Sequence, residues 1–534
     1  MKLFYNAKIY SPTTDSITAF VIGNGYFLSM GSDTQILNEF SHISDKVDLK
    51  GRTIWPGLTD SHLHLQHLAE SQAMIDCETD SFEECLNRIE DHAQKLPPKA
   101  WVRGHGWNQN NWSSGFGNAS SLDKVCGGRP AYLTAKSLHA AWVNSKSLAL
   151  AGINRYAPDP ANGIILRDQV GEPSGILLEA SSMEMIEKII PEPSPIERLR
   201  QLQALIPNLW RNGLVGVHDF DGPDCWETLQ NCYQKGALNL RVRKNIPLQL
   251  FESFIDARLR TDFGDDWLNI GNLKLFADGA LGPQTAAMFE PYENTDRCGT
   301  LLLTEQEIYE IGKRAVNNGI ALSIHAIGDL ANNVVLNAYE RLRLYEENHH
   351  LPHYRHRIEH VQTIQPEDLA RLAKLDIVAS VQPIHATSDM DTAEKFLGER
   401  AKLSYSLRSL VNSGAVVAMG SDAPVESANP FWGIHAAVTR RRLDGRPGKS
   451  GWYSDQRLTL DEAIMGYSFI PALISHRGGL LGKIAQGYKA DFLILSEDIS
   501  NFDNHELAMI QPAATFIEGN CVFWDESLPE EVFV

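Results

Sequence analysis

The chain has 534 residues, 43% hydrophobic and 22% charged, an ordinary composition for a globular protein. That length is too great for one ordinary core and suits a large α/β barrel with additions. The formal net charge of −19 disfavours nucleic acid and anionic membranes as partners and does not by itself identify a substrate. Seven cysteines, an odd number without a CxxC, argue against a disulfide framework or a thiolate zinc site. A reducing, cytoplasmic setting is expected. The N-terminal MKLFYNAKIY lacks the apolar core of a signal peptide, and no apolar run approaches the ~18 residues of a membrane span.

In chain order, residues 2–10, 19–22 and 26–30 read as short strands broken by Gly23, Gly25 and Gly31. The C-terminal stretches 491–495, 515–517 and 521–524 read alike, with EGN at 518–520 as a hairpin turn. Residues 1–55 and 480–534 are therefore expected to form one small β-sandwich. Between them, 56–479 alternates apolar runs with amphipathic segments such as 304–317 and 365–374, the order that predicts parallel strands. The runs are 53–58, 131–135, 213–220, 272–279, 320–329, 356–362, 376–383 and 415–424. Eight of them fit a (β/α)8 barrel, a TIM barrel. The stretch of about 66–213 is too long for two βα units and holds insertions: an aromatic, Gly-rich segment at 101–117 and a hairpin at 163–179. Trp107, Trp112 and Trp142 are either a pocket wall or simply core.

Polar side chains recur where the apolar runs end, and strand C-termini of a barrel face its active site. The first run ends in DSHLH. Residues two apart on a strand point the same way, so His62 and His64 can aim at one ion, and imidazole suits zinc. Alone, HxH is also a common coincidence. Asp60 can orient a ligand imidazole. His325 and His360 close later runs, 35 residues apart, the length of one βα unit. Asp422, in GSDAP, is either a metal ligand and general base or a turn residue. Lys274 sits inside the apolar LKLFADG. Desolvation favours its neutral amine, which can react with carbon dioxide to give a carbamate able to bridge two metals; the plain alternative is an ion pair with Asp278 or another acid.

The stretches WPGLTDSHLHL (55–65), WVRGHGWNQNNW (101–112), SLHAAWVNSKSL (137–148), KLFADGALGPQTA (274–286), SIHAIGD (323–329), RIEHVQ (357–362), VQPIHATSD (381–389), MGSDAPVE (419–426) and GKIAQGYKADFLIL (482–495) together resemble the amidohydrolase superfamily, and within it the amidohydrolase 3 group with its N-substituted formamide deformylase-like members. The resemblance implies a metal-bearing barrel with a terminal β-sandwich. His62, His64 and Asp422 would hold one divalent ion, zinc by ligand type, and Lys274, as N6-carboxylysine, would bridge to a second held by His325 and His360. A site with one ion stays open. The implied reaction is hydrolysis of an amide-like C–N bond of an N-acyl or N-formyl amine by metal-activated water, with Asp422 as general base and acid. His139, His385 and Asp278 are further catalytic candidates, for the oxyanion or for substrate. A one-metal deaminase or cyclic amidase, and a non-catalytic binding barrel, are the competing readings. A homodimer is expected from the commonness of two-fold oligomers.

Overall fold

Eight parallel strands run β1 (Leu58–Leu63), β2 (Leu214–Asp219), β3 (Arg241–Pro247), β4 (Leu268–Phe276), β5 (Leu322–Ala326), β6 (Arg357–His360), β7 (Val378–Val381) and β8 (Val417–Met419), each paired with the next. This is the expected (β/α)8 barrel, seen in a computed structural model that describes residues 1–10, 17–72, 74–107, 109, 112–113, 115–135, 140–160, 163–499 and 503–525. The helices between strands start where local chemistry satisfies their first amides. Thr304 caps Glu305–Asn317 through a reciprocal box with Glu307. Pro366 opens Pro366–Lys374, a first-turn position where a missing N–H costs nothing.

The membership of the barrel differs from the expected set by one strand. The run 131–135 lies in another sheet, and β3, RVRKNIP, takes its place. Its charges hide it from a hydrophobicity scan. All seven residues are nevertheless buried, because each charge meets a partner: Arg241 with Asp491 at 2.7 Å, Lys244 with Asp219 at 2.8 Å, and Arg243 with Asp262 at 2.5 Å. The first run also divides. Thr53–Pro56 joins a terminal sheet, and β1 begins beyond Gly57.

Both chain ends build the β-sandwich. One sheet has the order Tyr26–Gly31, Ala19–Gly23, Lys2–Tyr5, Lys46–Asp48. The other runs Lys8–Ile9, Thr53–Pro56, Phe492–Leu495, Pro512–Ile517, Asn520–Trp524. Phe4, Phe20 and Phe27 from the first sheet pack with Ile54, Phe492 and Phe516 from the second. The 518–520 turn forms as read, with Glu518 and Gly519 both at positive φ.

Residues 69–201 make a compact unit of their own. Its six-stranded sheet includes the expected hairpin, Ile164–Arg167 against Pro173–Leu178. Trp107, Trp112 and Trp142 lie in its core beside Phe82, and the Trp107 indole donates to the Leu133 carbonyl. They are core rather than pocket wall. Among the described residues, no helix is long and apolar enough to cross a membrane.

Candidate metal centre

The barrel closes at the residues the sequence singled out. Past the end of β8, the Asp422 amide donates to the His62 carbonyl at 2.7 Å and the His64 amide donates to the Ala423 carbonyl at 2.8 Å. The strands approach so closely that a Cβ on Gly420 would stand 2.5 Å from the His62 nitrogen, so only glycine fits there. Asp60 fastens the seam. Its carboxylate accepts from the His62 amide (2.9 Å), the Ser421 amide (3.1 Å) and the Ser421 hydroxyl (2.6 Å). It grips two backbone amides and a hydroxyl rather than the ligand imidazole expected of it. Burial, opposed by these bonds, raises its pKa to about 7.

The side chains then converge. Nε2 of His62 lies 3.4 Å, and Nε2 of His64 3.3 Å, from the same Asp422 Oδ1. Ligand atoms around a tetrahedral zinc stand about 3.3 Å apart, given bonds of 2.0–2.1 Å. The His62 and His360 rings are 5.0 Å apart, and those of His325 and His360 4.5 Å. His360 follows Glu359, which also faces the interior. A strand would send neighbours to opposite sides, but a φ of 76° at His360 turns its imidazole inward. Asp422, at φ 60°, is held in the same left-handed region.

Hydrogen bonds assign the free nitrogens. A carboxylate only accepts, so His62 Nδ1, 2.7 Å from Glu359 Oε2, carries its proton and leaves Nε2 as a lone pair aimed at Asp422. His325 Nε2 donates to the Gly279 carbonyl at 2.9 Å, which leaves Nδ1 open. His360 Nδ1 meets Gln382 Oε1 at 2.8 Å, which leaves Nε2 open. Lone pairs and an ionised carboxylate that face one another want a cation between them, so this donor set fits a divalent metal.

The charge states agree. Burial, and then the charge of Lys274, depress His62 to about 4 and His325 to about 3. Burial and His325 take His360 well below its ordinary value. Burial pushes Asp422 up, but the hydrogen bond from His64 and the electrostatic pull of the histidines around it hold it far below the carboxylate range. His64 goes the other way: burial is outweighed by Asp221 and Asp422, which raise it to about 9. A metal would take the place of the proton that His64 shares with Asp422.

Lys274 lies at the end of β4 with Nζ 4.8 Å from the ring centres of Phe220 and Phe276. Among the described residues, no carboxylate lies within ion-pair distance of it. Burial lowers its pKa to about 8, against the pull of Glu359 and Asp422. Asp278, its alternative partner, instead accepts from the amides of Ala287, Ile327 and Gly328 (2.8–3.0 Å) and stands 3.6 Å from His325 Nε2. Burial, opposed by those amides, raises it to about 7. His385 enters on the helix Pro383–Ser388, within metal-ligand range of His360 and Asp422, and among the described residues its Nε2 has no hydrogen-bond partner. His139 lies outside the described residues.

Two carboxylates went unread in the sequence. Asp221 stands 3.3 Å from His64 Nδ1 and 2.7 Å from His67 Nδ1. Glu359 holds His62. The signal for Glu359 was available in RIEH, where opposite charges two apart on a buried strand share a face.

Residues 45–523 match the family model Amidohydro_3, described as Amidohydrolase family. The chain belongs to the amidohydrolase family. This amidohydrolase is 31% identical over 518 residues to YtcJ of Bacillus subtilis (strain 168), an alignment covering 95% of this chain and 96% of that one. It is 27% identical over 532 residues to N-substituted formamide deformylase of Arthrobacter pascens, covering 96% of each. Among solved structures it resembles an uncharacterized metal-dependent hydrolase of Pyrococcus furiosus, with 28% identity, a TM-score of 0.77, and coverage of 93% of this chain and 99% of that chain.

Proposed function

We propose that this amidohydrolase hydrolyses the amide-like C–N bond of a small N-acyl or N-formyl amine at a zinc centre. His62, His64 and Asp422 would hold one ion, and His325, His360 and a carboxylated Lys274 a second. The observation that carries the reading is the convergence of the Nε2 atoms of His62 and His64 on one Asp422 oxygen at 3.3–3.4 Å, at the strand ends of a barrel. The likeness to a formamide deformylase supports the substrate class.

When bound, a divalent metal supplies a Lewis acid for the substrate carbonyl and lowers the pKa of water. Asp422, held ionised, accepts the proton of the attacking water and returns it to the departing nitrogen. His385 offers the unpartnered Nε2 to the oxyanion, and His139 is the second candidate for that task. Asp278, bound to three amides beside His325, sets the loops around that ligand. Lys274 Nζ, as the neutral amine, attacks the carbon of carbon dioxide; the N–C bond forms as one C=O π pair moves onto oxygen, and loss of an N–H proton to water leaves the carbamate anion. Free thiols at all seven cysteines support a cytoplasmic location.

The test is a hydrolysis screen of metal-loaded protein against N-formyl amines, N-acyl amines, cyclic amides and amino-substituted rings, with elemental analysis beside it. Amine release from the first two classes, with two ions per chain, is expected. Ammonia release from the ring substrates alone, with one ion per chain, would establish the deaminase reading instead.

A further inference from the structure

Behind the candidate ligands lies a charged assembly inside the barrel that the hydrolytic steps above do not use. Glu359 and Arg357, two apart on β6, are 0% and 2% exposed. Glu359 Oε2 accepts from His62 Nδ1 at 2.7 Å and from Arg357 Nη2 at 2.9 Å, and Oε1 stands 2.8 Å from Arg357 Nε. Arg357 is fixed in turn. Nη2 donates to the Ser61 carbonyl and to the Ser380 hydroxyl, each at 2.8 Å, and Nη1 donates to His218 Nδ1 at 2.9 Å. Arginine has no acceptor, so His218 is neutral with its proton on Nε2, where Ser475 Oγ lies 3.1 Å away. The Phe220 ring closes the other side, stacked on His62 at 4.0 Å and 10°. Four strands, β1, β2, β6 and β7, thus clamp the ring of a single histidine.

A buried ion pair of this kind is weak evidence for stability, because apolar side chains of similar volume pack as well without the desolvation cost. It does accomplish something an apolar core cannot. A carboxylate on Nδ1 forces the proton onto that nitrogen, directs the Nε2 lone pair outward and raises the imidazole's basicity toward a cation. The guanidinium keeps the carboxylate from swinging to another partner through the Nη2 hydrogen bond to Oε2 and the close ion-pair contact of Nε with Oε1. His64 and His360 have Asp221 and Gln382 behind them, but among the described residues neither of those carries an arginine partner.

We infer that Glu359, locked by Arg357, is a positioning residue that sets the tautomer and aim of His62 for metal binding. The inference rests on the metal-centre reading above. Its test is the zinc dissociation constant of wild-type and Glu359→Gln protein, measured by chelator competition, beside the melting temperature of each apo-protein. E359Q should weaken zinc about 10–100-fold, the usual effect of removing such a partner. R357K, which keeps the charge but loses the fork, should weaken it less. Unchanged zinc affinity in E359Q, with only a lower apo melting temperature, would show a purely structural role and overturn the inference. If E359Q does not fold, R357K and a crystal structure of zinc-loaded wild-type protein decide. Unchanged affinity in R357K, or Nδ1 turned away from Glu359, overturns it. Failure of the wild type itself to hold zinc removes the metal-centre reading instead.

Discussion

The terminal sandwich and the barrel interior are equally buried and chemically opposite. In the sandwich, Phe4, Phe20, Phe27, Phe492 and Phe516 pack ring on ring, with Phe492 and Phe516 stacked at 4.4 Å. In the barrel, the same depth holds His62, Arg357, Glu359, His218 and Lys274. Apolar burial lowers the free energy of the fold, whereas buried charge raises it unless every group is matched. The difference separates the part of the molecule that supplies stability from the part that consumes it to hold a reactive arrangement.

The largest effect that can break this contrast is at Asp422. Asp422→Asn should lower kcat/KM on the order of 10³-fold or more while leaving the circular dichroism spectrum intact, since the proposed ligand and the proposed general base are one side chain. A fully active variant would remove Asp422 from the chemistry. Next is Phe492→Ala, which should cost about 3–5 kcal/mol of stability in denaturant titration. Metal content per folded chain should stay the same, and a loss of metal would show that the two regions are not separable. Removing metal with a chelator should lower the melting temperature, by the equivalent of ~2.7 kcal/mol when the starting metal stands at a hundred times its dissociation constant. Readdition should restore both stability and activity.

The smallest effect is a pH slope. Burial, then the charges of Arg357 and Arg243, hold His218 well below its ordinary value; burial, against the hydrogen bond to Glu346, lowers His356. A depressed histidine binds fewer protons folded than unfolded. Its stabilising contribution is therefore complete above the unfolded value of about 6.5 and is lost as pH falls below it. The apo-protein's melting temperature should decline on acidification through that window. His356→Asn should make the decline shallower, and an unchanged slope would exclude His356 as a source.

Much of this was legible in the primary structure. The strand-end residues His62, His64, Lys274, His325, His360 and Asp422 stood out because polar groups closing apolar runs are costly without a purpose. Trp107, Trp112 and Trp142 stayed ambiguous, since a tryptophan cluster reads the same in a pocket wall and in a core. β3 was missed because RVRKNIP shows no alternation, its burial depending on Asp219, Asp262 and Asp491, all outside the strand.

By itself, then, the sequence determined the barrel-and-sandwich architecture and marked the polar strand ends as candidates for chemistry, because periodicity and local cost are properties of neighbours along the chain. Only the tertiary structure decided which nitrogen each histidine presents, that Asp60 holds a seam rather than a ring, and that Glu359 stands behind His62. Those depend on hydrogen bonds between groups as much as 361 residues apart, such as Asp60 to Ser421, and direction at that range exists only once the barrel has closed.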